Sequence, residues 1–336
     1  MTTDLTVLSR GERQDLTRKI VIEHARFKQA IHGIARFHKP VVGGLPDRGS
    51  LGVLIGDSRT GKTFAAKRYL KKNPASVGDN GMIFPVVRAD MPAEGGACAI
   101  LLAIADSIGI TLTARASNGA IFKAIERGFK AHKVELLILD EAELFIKTDK
   151  RGLLTYVRDL LRKLVDIGTF NVLCVGLEET YDVVAGDARL VGRGMLPYTR
   201  ILPYEWESAD DKTEFRKLCH AFDEKLPFNS RSGLASVEMA SCLHWVSEGN
   251  IGLLHDMVYF AACEAINDGA ELVEARHFEA AYEVRMPYGN GYNPFRDGRE
   301  NAPKVRSGQA VTPMSAAMPS NLFLKTGGQT NAFAAH

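Results

Sequence analysis

Gly56-Asp57-Ser58-Arg59-Thr60-Gly61-Lys62-Thr63 has the residue types and spacing best suited to chemistry in this chain. It is a GxxxxGKT run between an apolar stretch and a helix-compatible one, residues 64–72. Glycines at these places let backbone N–H groups turn inward, and the start of a following helix adds partial positive charge, so the loop suits a phosphate. Lys62 then reaches the β and γ phosphates of a nucleoside triphosphate, and the Thr63 hydroxyl is placed to ligate Mg²⁺. A second chemical run is Leu136-Leu137-Ile138-Leu139-Asp140-Glu141, an apolar segment ending in two adjacent carboxylates. Asp140 is expected to hold the hydrated Mg²⁺, and Glu141 to accept a proton from the water that attacks the γ phosphate. A water-activating carboxylate beside the magnesium aspartate favours an ATP hydrolase over a small-molecule kinase. The Asp-Glu-Ala-Glu string at 140–143 also looks like a helicase box, but a two-lobed helicase needs a second sheet-containing domain that the remainder cannot supply.

These loops need a sheet to hold them. Short apolar runs at 51–55, 82–87, 134–139 and 171–175, with a fifth at 199–202, alternate with helical stretches, the pattern of a parallel five-stranded sheet covered on both faces. Before it, Ser9 and Glu12 have the spacing of a capping box. Phe27, Ile31, Ile34 and Phe37 recur at three- and four-residue steps, so 9–38 reads as one amphipathic helix, more simply packed on its own domain than offered to a partner. After Pro203 the strands stop. Helices are expected at 236–248, closed by Gly249, and at 251–267, closed by Asp268-Gly269. Residues 286–336 carry five prolines among many Gly, Ser and Asn and no periodicity, which indicates a disordered tail. The resulting division is an N-terminal helical extension (1–48), an α/β nucleotide-binding domain (49–205), a small helical domain (206–285) and the tail (286–336).

With 46% hydrophobic and 24% charged residues, the 336-residue chain can fill one or two cores, so wholesale disorder is excluded. The net charge is +2, and five basic against two acidic side chains in the tail leave the folded part slightly acidic. Any polyanion must therefore be held by local placement of charge. Neither a membrane span nor a signal peptide is visible, so a cytoplasmic protein is expected. Cys98, Cys174, Cys219, Cys242 and Cys263 never fall at the two-residue spacing of metal or redox pairs and read as packed thiols.

Taken in order, these motifs resemble those of AAA+ ATPases, and more closely the TnsC/TniB family of transposition regulators. Besides the two runs above, Cys174-Val175-Gly176-Leu177-Glu178-Glu179 resembles the family's next strand end. The segment from Asp187 to Arg193 resembles the helix end that presents an arginine to a neighbouring subunit, and Glu248-Gly249-Asn250-Ile251-Gly252-Leu253-Leu254 the start of the lid helix. The resemblance implies an ATP-bound ring or filament on duplex DNA that links a target-selection protein to the transposase. It also implies Arg193 or Arg189 as the arginine acting in trans. DNA contacts are implied in the region 110–130, at Thr113, Arg115, Asn118, Lys123 and Arg127, with Lys147, Lys150 and Arg151 as a second basic cluster. The family's polar phosphate sensor is replaced by Leu177, which leaves Glu178 or the neighbouring backbone to take its role, and the lid segment 249–254 lacks an arginine; both departures imply slow hydrolysis. Three Asn-x-Phe triplets in the tail, at 293–295, 321–323 and 331–333, are candidate docking motifs for the transposase. A helicase loader or a MuB-like target-binding ATPase is a rival within the same fold. A signalling switch that never meets DNA is a rival outside it.

Overall fold

The computed structural model describes residues 8–79, 81–94, 96–112, 116–147, 151–191, 198–285 and 291–302. Its contacts form two compact units, residues 23–203 and, separately, the N-terminal segment to Ile22 together with the chain from Tyr204 onward. The stretch 1–48, read from sequence as one extension, is thus shared between them. The single helix expected over 9–38 is two, α1 (Arg10–Arg18) and α2 (Ala25–His38). The Ser9–Glu12 capping box is formed and starts α1. The apolar stripe that suggested one long helix begins only at Phe27, so nothing in residues 19–24 demands helical spacing.

In the first unit, β1 (Leu51–Gly56) leads into α3 (Lys62–Lys72). A small antiparallel hairpin follows, β2 (Ser76–Gly78) and β3 (Gly81–Ile83), then β4 (Val86–Asp90), α4 (Ala97–Asp106) and α5 (Asn118–Ala131). The run expected as one strand over 82–87 is divided by Pro85, which has no N–H to give a ladder: its first part pairs in the hairpin and its second in the main sheet. Next come β5 (Leu136–Asp140), α6 (Leu144–Lys147), α7 (Arg151–Asp166), β6 (Asn171–Gly176), α8 (Glu179–Ala185), α9 (Ala188–Val191) and β7 (Tyr198–Ile201). Five parallel strands form the main sheet in the order β4-β5-β6-β1-β7.

Alternation along the strands sorts the core into two layers. Val53, Ile55, Leu137, Leu139, Val172 and Cys174 face a cluster completed by Leu101, Ile121, Ile125, Phe129 and Leu164 from α4, α5 and α7. Leu54, Leu136, Ile138, Leu173 and Val175 face Phe27, Ala30 and Ile34 of α2 and Ala65, Ala66 and Tyr69 of α3. Every residue of β1, β5 and β6 is buried, which is why these strands appear in the sequence as unbroken apolar runs. Helix α2 is fixed at its end by buried polar groups. His38 Nδ1 lies 2.9 Å from the Tyr69 hydroxyl and its Nε2 2.9 Å from Glu135, while Asn171 Nδ2 donates to the Phe37 carbonyl at 2.9 Å.

The second unit contains α10 (Ala209–Lys225), α11 (Val237–Ser247), α12 (Ile251–Asp268) and α13 (Ala275–Arg285) around Phe215, Phe222, Leu243, Leu254 and Phe278. Helix α1 joins it: Gln14 and Arg18 both donate to the Tyr259 hydroxyl, at 2.9 and 2.7 Å. Residues 291–302 depart from the expected absence of structure. They form a short helix, α14 (Pro294–Asp297), and a 3-10 turn, with Phe295 stacked on Phe278 at 5.2 Å. The first Asn-x-Phe triplet is therefore packed at home, while 321–323 and 331–333 lie outside the described residues. No helix among the described residues is long and apolar enough to cross a membrane.

Candidate nucleotide-binding site

The GxxxxGKT run turns from the end of β1 into α3. At Gly56 the neighbouring strand comes so close that a Cβ would lie 2.3 Å from the Ile201 carbonyl oxygen, and Gly61, the N-cap of α3, has φ +94°. Any other residue would be strained at either place. Gly61 contributes no side-chain cap, so the first turn of α3 keeps its dipole end directed at the loop. Thr60 is buried and braces the loop, its hydroxyl donating to the Asp57 carbonyl at 2.8 Å. Asp57 and Ser58 stand exposed at the tip, with Arg59 beside them at φ +66°.

Lys62 is buried, and its ammonium donates to the carbonyls of Gly56 and Asp57 at 2.8 and 2.6 Å. Burial pushes its pKa below the usual lysine value, against the opposing pull of Glu143, Asp140, Asp57 and Glu178. A buried cation surrounded by carboxylates, with only carbonyls as direct partners, is poised to accept a stronger anion. Thr63 Oγ1 donates to Asp140 Oδ1 at 3.2 Å, so the hydroxyl at the start of α3 and the carboxylate at the end of β5, both expected at the metal, meet. Both are hard oxygen donors, the set that Mg²⁺ takes beside phosphate oxygens.

Glu141 follows Asp140 on a residue with φ +59°, a conformation that turns it out of the strand. Its backbone N–H donates to Asp140 Oδ1 at 3.0 Å. Desolvation, and then the charges of Asp140, Glu143 and Asp90, raise its pKa, opposed by Arg88. A carboxylate whose proton affinity is raised in this way is a better base at neutral pH.

Two further residues, Arg88 and Glu143, bear on the site, and sequence reasoning gave neither a role. Arg88 of β4 donates to Asp140 Oδ2 through Nε at 3.0 Å and Nη2 at 2.8 Å. Glu143 accepts the Leu177 backbone N–H at 3.2 Å, so the backbone that was to stand in for the absent polar sensor already has a partner. Glu178, the other substitute, is paired with Arg200 of β7. A charged residue in the midst of the Val-Val-Arg-Ala-Asp strand was the one available signal for Arg88.

Of the remaining sequence candidates, Arg189 is exposed on α9, where its backbone N–H donates to Asp187 Oδ1 at 2.9 Å. Arg193 lies outside the described residues, as do Thr113, Arg115 and Lys150. Arg151 begins α7 and Lys147 ends α6, but their side chains are outside the description. Lys123 and Arg127 are brought together: with Lys130 they line the exposed face of α5, opposite Ile121, Ile125 and Phe129. All five cysteines are free, with Cys174, Cys219 and Cys242 buried, and no cluster of three or more His, Cys, Asp or Glu among the described residues could hold a metal ion.

A five-stranded parallel sheet with a phosphate loop after one strand and an acidic pair closing another defines a P-loop protein with the AAA+ ATPase fold. The chain belongs to the TniB family, since the family model described as "Bacterial TniB protein" matches residues 15–195, more than half of its length. Among solved structures, Cdc6p from Pyrobaculum aerophilum is similar with a TM-score of 0.58 at 15% identity, over 80% of this chain and 70% of that one. The ORC1 protein of Aeropyrum pernix, solved in complex with DNA, gives 0.58 at 15% over 81% and 69%. The ORC2 protein of the same organism, solved in ADPNP-ADP complexes, gives 0.55 at 16% over 80% and 70%. At such identities the likeness is one of fold. No curated protein matches the chain.

Proposed function

We propose that this protein is an ATP-hydrolysing, DNA-binding regulator of transposition that assembles into a ring or filament on duplex DNA and connects a target-selection protein to the transposase. The observation that carries the reading is the contact of Thr63 Oγ1 with Asp140 Oδ1 at 3.2 Å, with the buried Lys62 in the field of Asp140 and Glu143. Membership of the TniB family supports the biological setting.

Within the site, Lys62 exchanges its two carbonyl partners for phosphate oxygens. Thr63 and Asp140 would hold Mg²⁺, which would supply neutralisation of phosphate charge. Glu141 takes a proton from the attacking water, and Arg189 or Arg193 serves a neighbouring subunit's site by stabilising charge on the terminal phosphate. Assembly follows from linkage, because a nucleotide that contacts two subunits stabilises only the assembled form. The stripe of Lys123, Arg127 and Lys130 on α5 is suited to the DNA backbone, together with Thr113, Arg115, Lys150 and Arg151. The segment beyond Ala302 carries the two remaining Asn-x-Phe triplets, proposed to recruit the transposase.

Electron microscopy with a slowly hydrolysed ATP analogue, with and without duplex DNA, tests the assembly. DNA-dependent filaments are expected, whereas DNA-independent rings would point to a signalling switch. Lys62→Ala is expected to abolish nucleotide binding and filaments together, as measured by equilibrium dialysis and microscopy. Nucleotide retention by that variant equal to wild type would sink the assignment of the loop.

A further inference from the structure

Asp140 gives its two oxygens to different partners. Oδ1 accepts from Thr63 Oγ1 at 3.2 Å and from the Glu141 N–H at 3.0 Å, on the side of the phosphate loop. Oδ2 accepts both the Nε and the Nη2 of Arg88. The pair is buried, with 11% of the Arg88 side chain and 2% of the Asp140 side chain exposed. It is also anchored from behind, since the guanidinium reaches Asp90, Nη1 to Oδ2 at 3.1 Å, and the parallel register sets Asp90 opposite Asp140. A planar fork held by two carboxylates is far less free to swing away than a lysine ammonium would be. Rotating the Asp140 carboxylate, or offering both its oxygens to one cation, would strand a buried charge.

We propose that Arg88 is a positioning residue that limits Asp140 to one available oxygen, Oδ1, and so sets the preference of the nucleotide site for Mg²⁺ over Ca²⁺. The inference rests on the reading of this cleft as a metal-nucleotide site. Magnesium demands near-octahedral geometry, keeps several waters and is satisfied by a single carboxylate oxygen. Calcium takes six to eight ligands and gains from a carboxylate that binds through both oxygens. Locking Oδ2 withholds from calcium a contact that magnesium does not need.

The test is binding of a fluorescent, slowly hydrolysed ATP analogue titrated with Mg²⁺ or with Ca²⁺, comparing wild type with Arg88→Ala and with Asp90→Asn. The second variant loosens the fork from an exposed position, where 61% of the Asp90 side chain is open to solvent, and leaves the core untouched. In Arg88→Ala the ratio of half-saturating Ca²⁺ to Mg²⁺ is expected to fall by about tenfold, and in Asp90→Asn by about threefold, as the second oxygen becomes available. A ratio unchanged in Asp90→Asn and in folded Arg88→Ala, or both metals weakened equally, would overturn the role of Arg88. If Arg88→Ala fails to fold, the Asp90→Asn ratio alone decides. Wild type that retains the analogue with neither metal would instead sink the reading of the site itself.

Discussion

Glu141, the proposed base, shows how surroundings can suit one side chain to a role. Its left-handed backbone aims it out of β5, and desolvation, followed by three neighbouring carboxylates, raises its proton affinity. Glu141→Gln keeps the shape and removes the base, so hydrolysis is expected to fall by roughly 10²–10³-fold with nucleotide binding retained, measured by phosphate release and dialysis. The base works only when ionised. Because its pKa is raised, activity should be full above that pKa and lost as pH falls through it, with the acid limb of the rate profile above the ordinary carboxylate range and missing from Glu141→Gln. The glycines, Lys62, Thr63 and the acidic pair were legible in the sequence because their spacing along the chain is itself the chemistry. Arg88 was not, because its partner lies one strand away and only the register of β4 on β5 brings them together.

At the scale of elements, the three central strands were readable because burial on both faces leaves polar residues only at strand ends, Asp140 in β5 and Asn171 in β6, and the capping box announced the start of α1. The errors share one cause, in that local composition did not show which surface a segment would meet. Residues 291–302 look like linker, yet Asn293 is buried. It caps α14 by accepting the Phe295 N–H at 3.1 Å and donates to the Glu279 carbonyl at 3.1 Å. Arg296 binds Glu279 and Glu283 alongside. Asn293→Ala is expected to cost about 1–2 kcal/mol of stability. A chain ending after residue 290 should be less stable than one ending after 302 by roughly 2–4 kcal/mol, because Phe278 loses its stacked partner. Equal unfolding temperatures for the two truncations would show that the segment does not hold.

For the whole molecule, a net charge of +2 leaves no general attraction to a polyanion, so the DNA contact proposed above would have to be made by local stripes such as that on α5. Binding should therefore depend steeply on salt and weakly on sequence. Lys123→Ala with Arg127→Ala is expected to reduce the slope of log affinity against log salt by about two while leaving nucleotide binding intact, as read by fluorescence anisotropy between 50 and 200 mM salt. An unchanged slope would remove α5 from the interface. The two-part arrangement of the chain also bears on how it is made. Residues 23–203 form one unbroken stretch and leave the ribosome with every strand of their sheet, whereas α1, which precedes that stretch, must wait for α12, made more than 230 residues later. The helical unit is thus the last to close. A nascent chain arrested before Tyr259 should display α1 undocked and open to chaperones, although the nucleotide loop behind it is already built.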